Sequence, residues 1–182
     1  MIYIKYLWSL LRHKWYVFVA GGLCKVPFWR RVFHDWSKFT PTEFGRYARW
    51  NVGGSRDKRE WATAWHHHLR FNDHHPEHWL LPWNGSLDFY AGIGSPVAEY
   101  VVALPMPEVC VRDLVADHLG AARARTGSWE ASQWFNENRA RWHLHPYTSG
   151  CLSYMLINIG YTILDDGWVE GPSFKEWAKA HA

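Results

Sequence analysis

The pair His34-Asp35, inside VFHDWSKF, sets an imidazole nitrogen beside a carboxylate oxygen, the donor types that divalent transition metals accept. Two residues cannot hold a cation alone, but other candidates recur along the chain: His13 early, His66, His67 and His68 in succession, His74, His75 and His78 soon after, then Asp113 and Asp117 one helical turn apart. Twelve histidines in 182 residues are more than packing asks for. Each residue also has a plain reading. His34 could be a helix-end imidazole favoured by the dipole, His13 a solvated neighbour of Arg12 and Lys14, and Asp113 or Asp117 a partner of Arg112 or Arg123. Convergence weighs against these readings, because facing helices of a bundle commonly build metal sites in their core.

The elements that must position these residues are mostly helical. Residues 2–20 predict a first helix ending at Gly21-Gly22, and Pro27 opens a second that runs through WRRVFHDWSKF, with His34-Asp35 near its C-terminal end. Thr40-Pro41-Thr42-Glu43 reads as a capping box for a third helix, which stops near Asn51-Val52-Gly53-Gly54. Ser55 is the expected cap of a fourth, 56–70. Residues 71–86 hold prolines and a glycine and predict loop, while 87–105 fit either a short helix pair or an irregular insertion. Pro107 opens a long helix that ends at Gly127, Ser128 caps the next, and two more follow near 148–163 and 173–181. The expected fold is therefore all-α, a bundle of about seven helices in one domain over 1–182.

On a helix, neighbouring side chains diverge by about 100°, so His66, His67 and His68 cannot all face one metal. Geometry leaves open which of the three does. In the loop, His74 and His75 point different ways, which makes one a ligand, with His75 ahead, and the other either a substrate contact or a group that supports a ligand from behind. His143 and His145 read as loop or packing residues.

The order of these residues resembles the HD superfamily of metal-dependent phosphohydrolases, whose pattern is an early His, an adjacent His-Asp, one or two further His and a late Asp. Here His13, His34-Asp35, His68, His75 and Asp117 fall in that order, and HDWSK resembles the family's HD-x-x-K form. The family-like form W-x-x-H-x-x-x-N-x-H-H aligns on Trp65, His68, Asn72, His74 and His75, a resemblance that prefers His68 and holds His67 in reserve, and VRDLVAD resembles the helix of the late Asp. Residues 9–145, the motif-bearing core, further resemble a family of phage and bacterial proteins. The HD resemblance implies one or two divalent transition metals per chain (Mn, Fe, Co or Zn), held by His13, His34, Asp35, His68, His75 and Asp117, with Asp35 shared. It implies hydrolysis of a small nucleotide-like phosphoester or phosphoanhydride by a metal-activated water, with Lys38 and Asp35 catalytic and Lys38, Asn72, His74 and His78 meeting substrate. Some HD-fold proteins instead use two irons to activate dioxygen on small polar substrates, and His-rich sites suit iron as well. A non-catalytic module that keeps metals for structure is the third reading.

Composition narrows the partners. With 48% hydrophobic and 20% charged residues the chain reads as globular, and a net charge of +3 without a basic tract gives no strong nucleic-acid signal. Cys24, Cys110 and Cys151 form no C-x-x-C pair and fit a reducing cytoplasm. Lys5, Arg12, His13 and Lys14 interrupt the apolar N-terminal stretch, so an amphipathic helix is expected and no membrane partner. A small phosphorylated molecule is the expected partner, with a homo-oligomer left open. Fourteen tryptophans could serve core, pocket wall or base stacking alike.

Overall fold

The computed structural model describes residues 1–82, 101–139, 141–165 and 167–171. Among these the fold is all-α, with helices α1 (Ile2–Leu23), α2 (Phe28–Phe33), α3 (Pro41–Asn51), α4 (Lys58–Phe71), α5 (Glu108–Thr126), α6 (Ser132–Arg139) and α7 (Pro146–Asn158). Two 3-10 turns, Trp36–Phe39 and Pro76–Trp79, and two small antiparallel ribbons complete it. One ribbon pairs Leu80–Pro82 with Val101–Ala103, the other Thr162–Ile163 with Val169–Glu170. No helix among the described residues is long and apolar enough to cross a membrane.

Helix α5 is the axis. Its residues are buried nearly all round, from Cys110 through Leu114 and Leu119 to Ala122, as expected of a helix with neighbours on several sides. Pro107 caps its start and Gly127, at φ 77°, ends it. Helices α1 and α7 both pack against α5, while α3 pairs with α4 and also touches α1. Along α1, Tyr6 and Leu10 join a cluster with Tyr47, Ala48 and Ala64, while Ala20, and Cys24 just past the helix end, join the larger core around α5. His13 lies between the two clusters. The α1–α5 approach is close because Gly120 has no side chain: a Cβ there would stand 2.6 Å from the Val17 nitrogen.

Several boundaries differ from expectation. Helix α1 continues through Gly21-Gly22 to Leu23, since Gly21 is buried where the Arg31 stem crosses it: a Cβ there would stand 2.8 Å from Arg31 Cγ. The capping box at Thr40 does not form: Thr40 and Pro41 do start α3, but the Thr40 hydroxyl donates to the Ser37 carbonyl (2.6 Å) and Glu43 turns inward. Asp57, not Ser55, caps α4 by accepting from the amides of Arg59 and Glu60. The helix expected after Ser128 begins only at Ser132, and the one expected at 148–163 spans Pro146–Asn158, where His145 Nδ1 accepts from the Tyr147 amide. Of 87–105, Val101–Ala103 is a strand, and 87–100 lies outside the described residues, as does the helix expected at 173–181.

Candidate metal centre

The second helix is not continuous. Helix α2 ends at Phe33, His34 turns extended (φ −49°, ψ 128°), and Asp35 adopts the left-handed conformation (φ 56°, ψ 23°) before the 3-10 turn. Asp is among the few residues that tolerate this region, at a cost of about 1 kcal/mol. In an unbroken helix His34 and Asp35 would point about 100° apart; the break turns both inward. Lys14 secures the break by donating to the carbonyls of Val32 (3.1 Å) and His34, the orphan acceptors at the end of α2.

Two sets of donors meet at Asp35. In the first set, His13 Nε2 lies 3.2 Å from Asp35 Oδ2 and 3.2 Å from Asp117 Oδ1, while His34 Nε2 lies 3.5 and 3.4 Å from the same two oxygens. In the second, Asp35 Oδ1 lies 3.3 Å from His68 Nε2 and 3.8 Å from His74 Nε2, and His75 Nε2 is 2.9 Å from His68 Nε2. Each set could hold a metal ion, its ligand atoms lying within 4.8 Å of one another. Donors about 2.1 Å from one cation, at tetrahedral or octahedral angles, stand about 3 to 3.4 Å apart, which matches most of these separations. Because its two oxygens face different sets, Asp35 is the shared member.

The fit has a second support. His34 Nε2, Asp35 Oδ1, His74 Nε2 and Asp117 Oδ1 are buried without a hydrogen-bond partner, and all four belong to these sets. An unsatisfied buried polar atom costs about 1–3 kcal/mol, and a cation among them removes that cost. The donor types and their spacing therefore fit one or two divalent transition metals.

Carboxylates behind the imidazoles fix which nitrogen points inward. His34 Nδ1 meets Asp113 Oδ1 at 3.1 Å, and Arg30 Nη2 holds Asp113 from the other side at 3.3 Å. His68 Nδ1 meets Glu43 Oε2 at 3.0 Å, with the second Glu43 oxygen taken by His67 at 2.7 Å. With the proton on Nδ1 donated outward, each Nε2 lone pair is free for a cation. Burial works against charge on His34, yet Asp35 and Asp113 outweigh it and raise its pKa well above the usual imidazole value. Burial and the nearby His34 push His74 down to about 4, and burial with its His neighbours lowers His75. Burial would raise both carboxyls, but Lys38 and His34 keep Asp35 well below the usual range, and His13 and His34 do the same for Asp117. The carboxylates are thus ionised and two imidazoles neutral, while His34 must give up a proton to ligate.

Beside the sets runs a cleft of about 320 Å³ lined by His13, Lys38, His75 and Asp117, by Trp61 and Trp65 on one side and by Trp134 and Trp142 on another, with Arg125 and Arg141. Trp65 stacks on His68 (5.7 Å between ring centroids, 26°) and meets His75 edge-on. The Arg125 guanidinium lies 4.9 Å above the Trp134 ring.

The structure brings together His13, His34, Asp35, His68, His75 and Asp117 and adds His74, which had been expected at the substrate. His74 and His75 both enter the second set, because the turn between α4 and the following 3-10 helix folds back over His68. Asn72 does not line the cleft: it is buried and donates to Ser37 Oγ and the His68 carbonyl, both at 2.8 Å. His78 is outside the cluster as well, exposed, with Nδ1 donating to the Leu69 carbonyl at 2.6 Å. Lys38 ion-pairs with Asp35 at the cleft edge. Missed altogether were the roles of Asp113, Glu43 and Arg30, whose only sequence signal is that Asp113 shares a helix face with Asp117.

Residues 3–158 match the profile of a family of unknown function, DUF5662. The chain belongs to the DUF5662 family. No curated protein and no solved structure matches it. For this DUF5662 chain the match spans α1 through α7, so every donor described above lies inside it.

Proposed function

We propose that this chain is a metal-dependent phosphohydrolase of HD type, acting on a small nucleotide-like phosphoester or phosphoanhydride. One observation carries the reading: two donor sets joined at Asp35 lie beside a cleft that also holds Lys38, Arg125 and Arg141. Cations bound there would lower the pKa of a water and offset charge on a phosphoryl group. His13, His34, Asp35 and Asp117 hold one ion, and Asp35, His68, His74 and His75 the other. Asp113 and Glu43 keep the Nε2 atoms of His34 and His68 aimed inward. Lys38, now paired with Asp35, is within the cleft wall and meets a phosphate oxygen of the substrate. Arg125 and Arg141 draw anions to the mouth, and the indoles limit water and offer faces to a planar group. The order of residues shared with the HD superfamily supports the same reading.

Five imidazoles against two carboxylates also suit a pair of irons, which favours oxygen chemistry on a small polar substrate as the second reading. One experiment separates them. Metal content is measured, and the protein loaded with manganese, cobalt, zinc or iron is offered a panel of nucleoside mono- and triphosphates while phosphate and oxygen are followed. Release of phosphate or pyrophosphate without oxygen uptake is expected. Substrate-dependent oxygen uptake by the iron form, with no phosphate from any form, would replace the hydrolase reading by the oxygenase one.

A further inference from the structure

The proposed chemistry leaves the outer face of α1 unused. Ile4, Trp8, Leu11 and Trp15 recur at i, i+4, i+7 and i+11 and so share one stripe, on the side away from the buried Tyr6, Leu10 and Val17. They are exposed: Ile4 by 75%, Trp8 by 71% and Trp15 by 62% of their surface. The stripe does not stop at the end of α1. Trp15 stacks with Phe18, Phe18 meets Phe28, Phe28 meets Trp29, and Trp29 stacks with Phe33, each within 6.4 Å between centroids, so the rings continue onto α2, where Trp29 is 68% exposed. An apolar face of this extent is uncommon on a protein bathed only in water.

Its charge says what covers it. Before Asp35 the chain carries Lys5, Arg12, Lys14, Lys25, Arg30 and Arg31 and no Asp or Glu. Arg30 is answered by Asp73 and Asp113, and Lys14 by backbone carbonyls. Lys5, Arg12 and Lys25 are exposed and form no ion pair among the described residues. A second copy set face to face would bring like charges together, whereas an anionic lipid surface offers headgroups to these cations and an acyl boundary to the rings. Tryptophan and tyrosine also favour the bilayer interface over either neighbouring phase.

We propose that the exposed face of α1 and α2 lies on an anionic lipid bilayer, parallel to its surface and not through it. The cleft stays free, because the α1 residue that lines it, His13, belongs to the opposite face, with the buried Tyr6 and Leu10. The proposal is independent of what the cleft does.

The test uses the full purified chain and sedimentation with vesicles of phosphatidylcholine alone or mixed with phosphatidylglycerol. Sedimentation with the mixed vesicles, weakened by salt, is expected. The double variant Trp8→Glu, Trp15→Glu should bind them about tenfold or more weakly, since both anchors go and two negative charges arrive. Both positions are exposed, and an unchanged melting temperature and metal content establish that the fold is intact. The pair Lys5→Glu, Arg12→Glu should lose the preference for phosphatidylglycerol while leaving the rings in place. No sedimentation with either vesicle overturns the proposal. So does equal sedimentation of the tryptophan variant, and so does a dimer in light scattering that this variant dissociates, which would make the face a contact between copies.

Discussion

Replacing Asp113 by Asn keeps the shape of a side chain that touches no cation in the proposed arrangement, yet should weaken metal binding. Asp113 accepts from His34 Nδ1 at 3.1 Å and from Arg30 at 3.3 Å, and its side chain is 4% exposed. The charge-assisted bond to His34 contributes about 1.5–3 kcal/mol, against about 1 kcal/mol for a neutral one. Asparagine retains an acceptor but loses the charge that raises the basicity of the imidazole, and it can turn an amide donor toward His34. Loss of such an outer carboxylate costs about 10- to 100-fold in metal affinity, or about 1.4–2.8 kcal/mol. Arg30 keeps Asp73 as a partner, so the fold should hold. Competition with a chromophoric chelator measures affinity for zinc and manganese in both proteins, and thermal melts of the metal-free forms control for stability. Equal affinities at equal melting temperatures would refute the idea that Asp113 orients His34 toward a cation.

Asp35→Ala should remove both ions and Asp117→Ala only one, because Asp35 alone belongs to both sets; elemental analysis of the two variants checks this. Lys38→Ala should keep the metals and lose turnover, and unchanged kinetics would make Lys38 a plain partner of Asp35. Gly120→Ala should cost about 1–3 kcal/mol, because the added Cβ meets the backbone of Val17 at 2.6 and 2.7 Å and the helices must part; a lower midpoint in urea is the readout. In the metal-free protein the depressed carboxyls of Asp35 and Asp117 give stability that is present above about pH 4 and lost as pH falls through their lower folded values, while the raised pKa of His34 gives stability present below about pH 6.5 and lost as pH rises through it. Neutral His74 and His75, held below the usual imidazole range, add stability that is present above about pH 6.5 and falls away as pH drops below it, so stability without metal should be greatest near pH 6.5, and metal affinity should rise with pH as His34 loses its proton; urea titrations across pH, with and without chelator, check both.

The helical fold and most donors of the two sets were legible because they rest on local pattern and order. Pro107 and Gly127 bracket α5, Thr40-Pro41 starts α3, and the candidate His and Asp residues stand out by type and by their order along the chain. What escaped was decided by distant partners. Nothing local distinguishes a Glu43 that closes a capping box from one that turns in to bond His67 and His68. The break at His34-Asp35 carries neither glycine nor proline, and its cause is the pull of side chains from α1 and α5 on both residues. Treating Asp113 and Asp117 as rivals was the natural reading of two acids on one face, but α5 is close enough to the centre for both to serve, one toward His34 Nδ1 and one toward His34 Nε2.

The two donor sets are also unequal in time. Asp35, His68, His74 and His75 leave the ribosome within one short stretch of chain, whereas the first set waits for Asp117 on α5. A growing chain paused after His75 holds all the donors of the second set and lacks one from the first. Yet α1, which carries His13, finds its main packing surface only when α5 appears, and Asp113 arrives on that same helix to orient His34. Synthesis of one helix thus supplies the main packing surface of α1, the last donor of the first set and its supporting carboxylate together, and a chain ending short of α5 lacks all three.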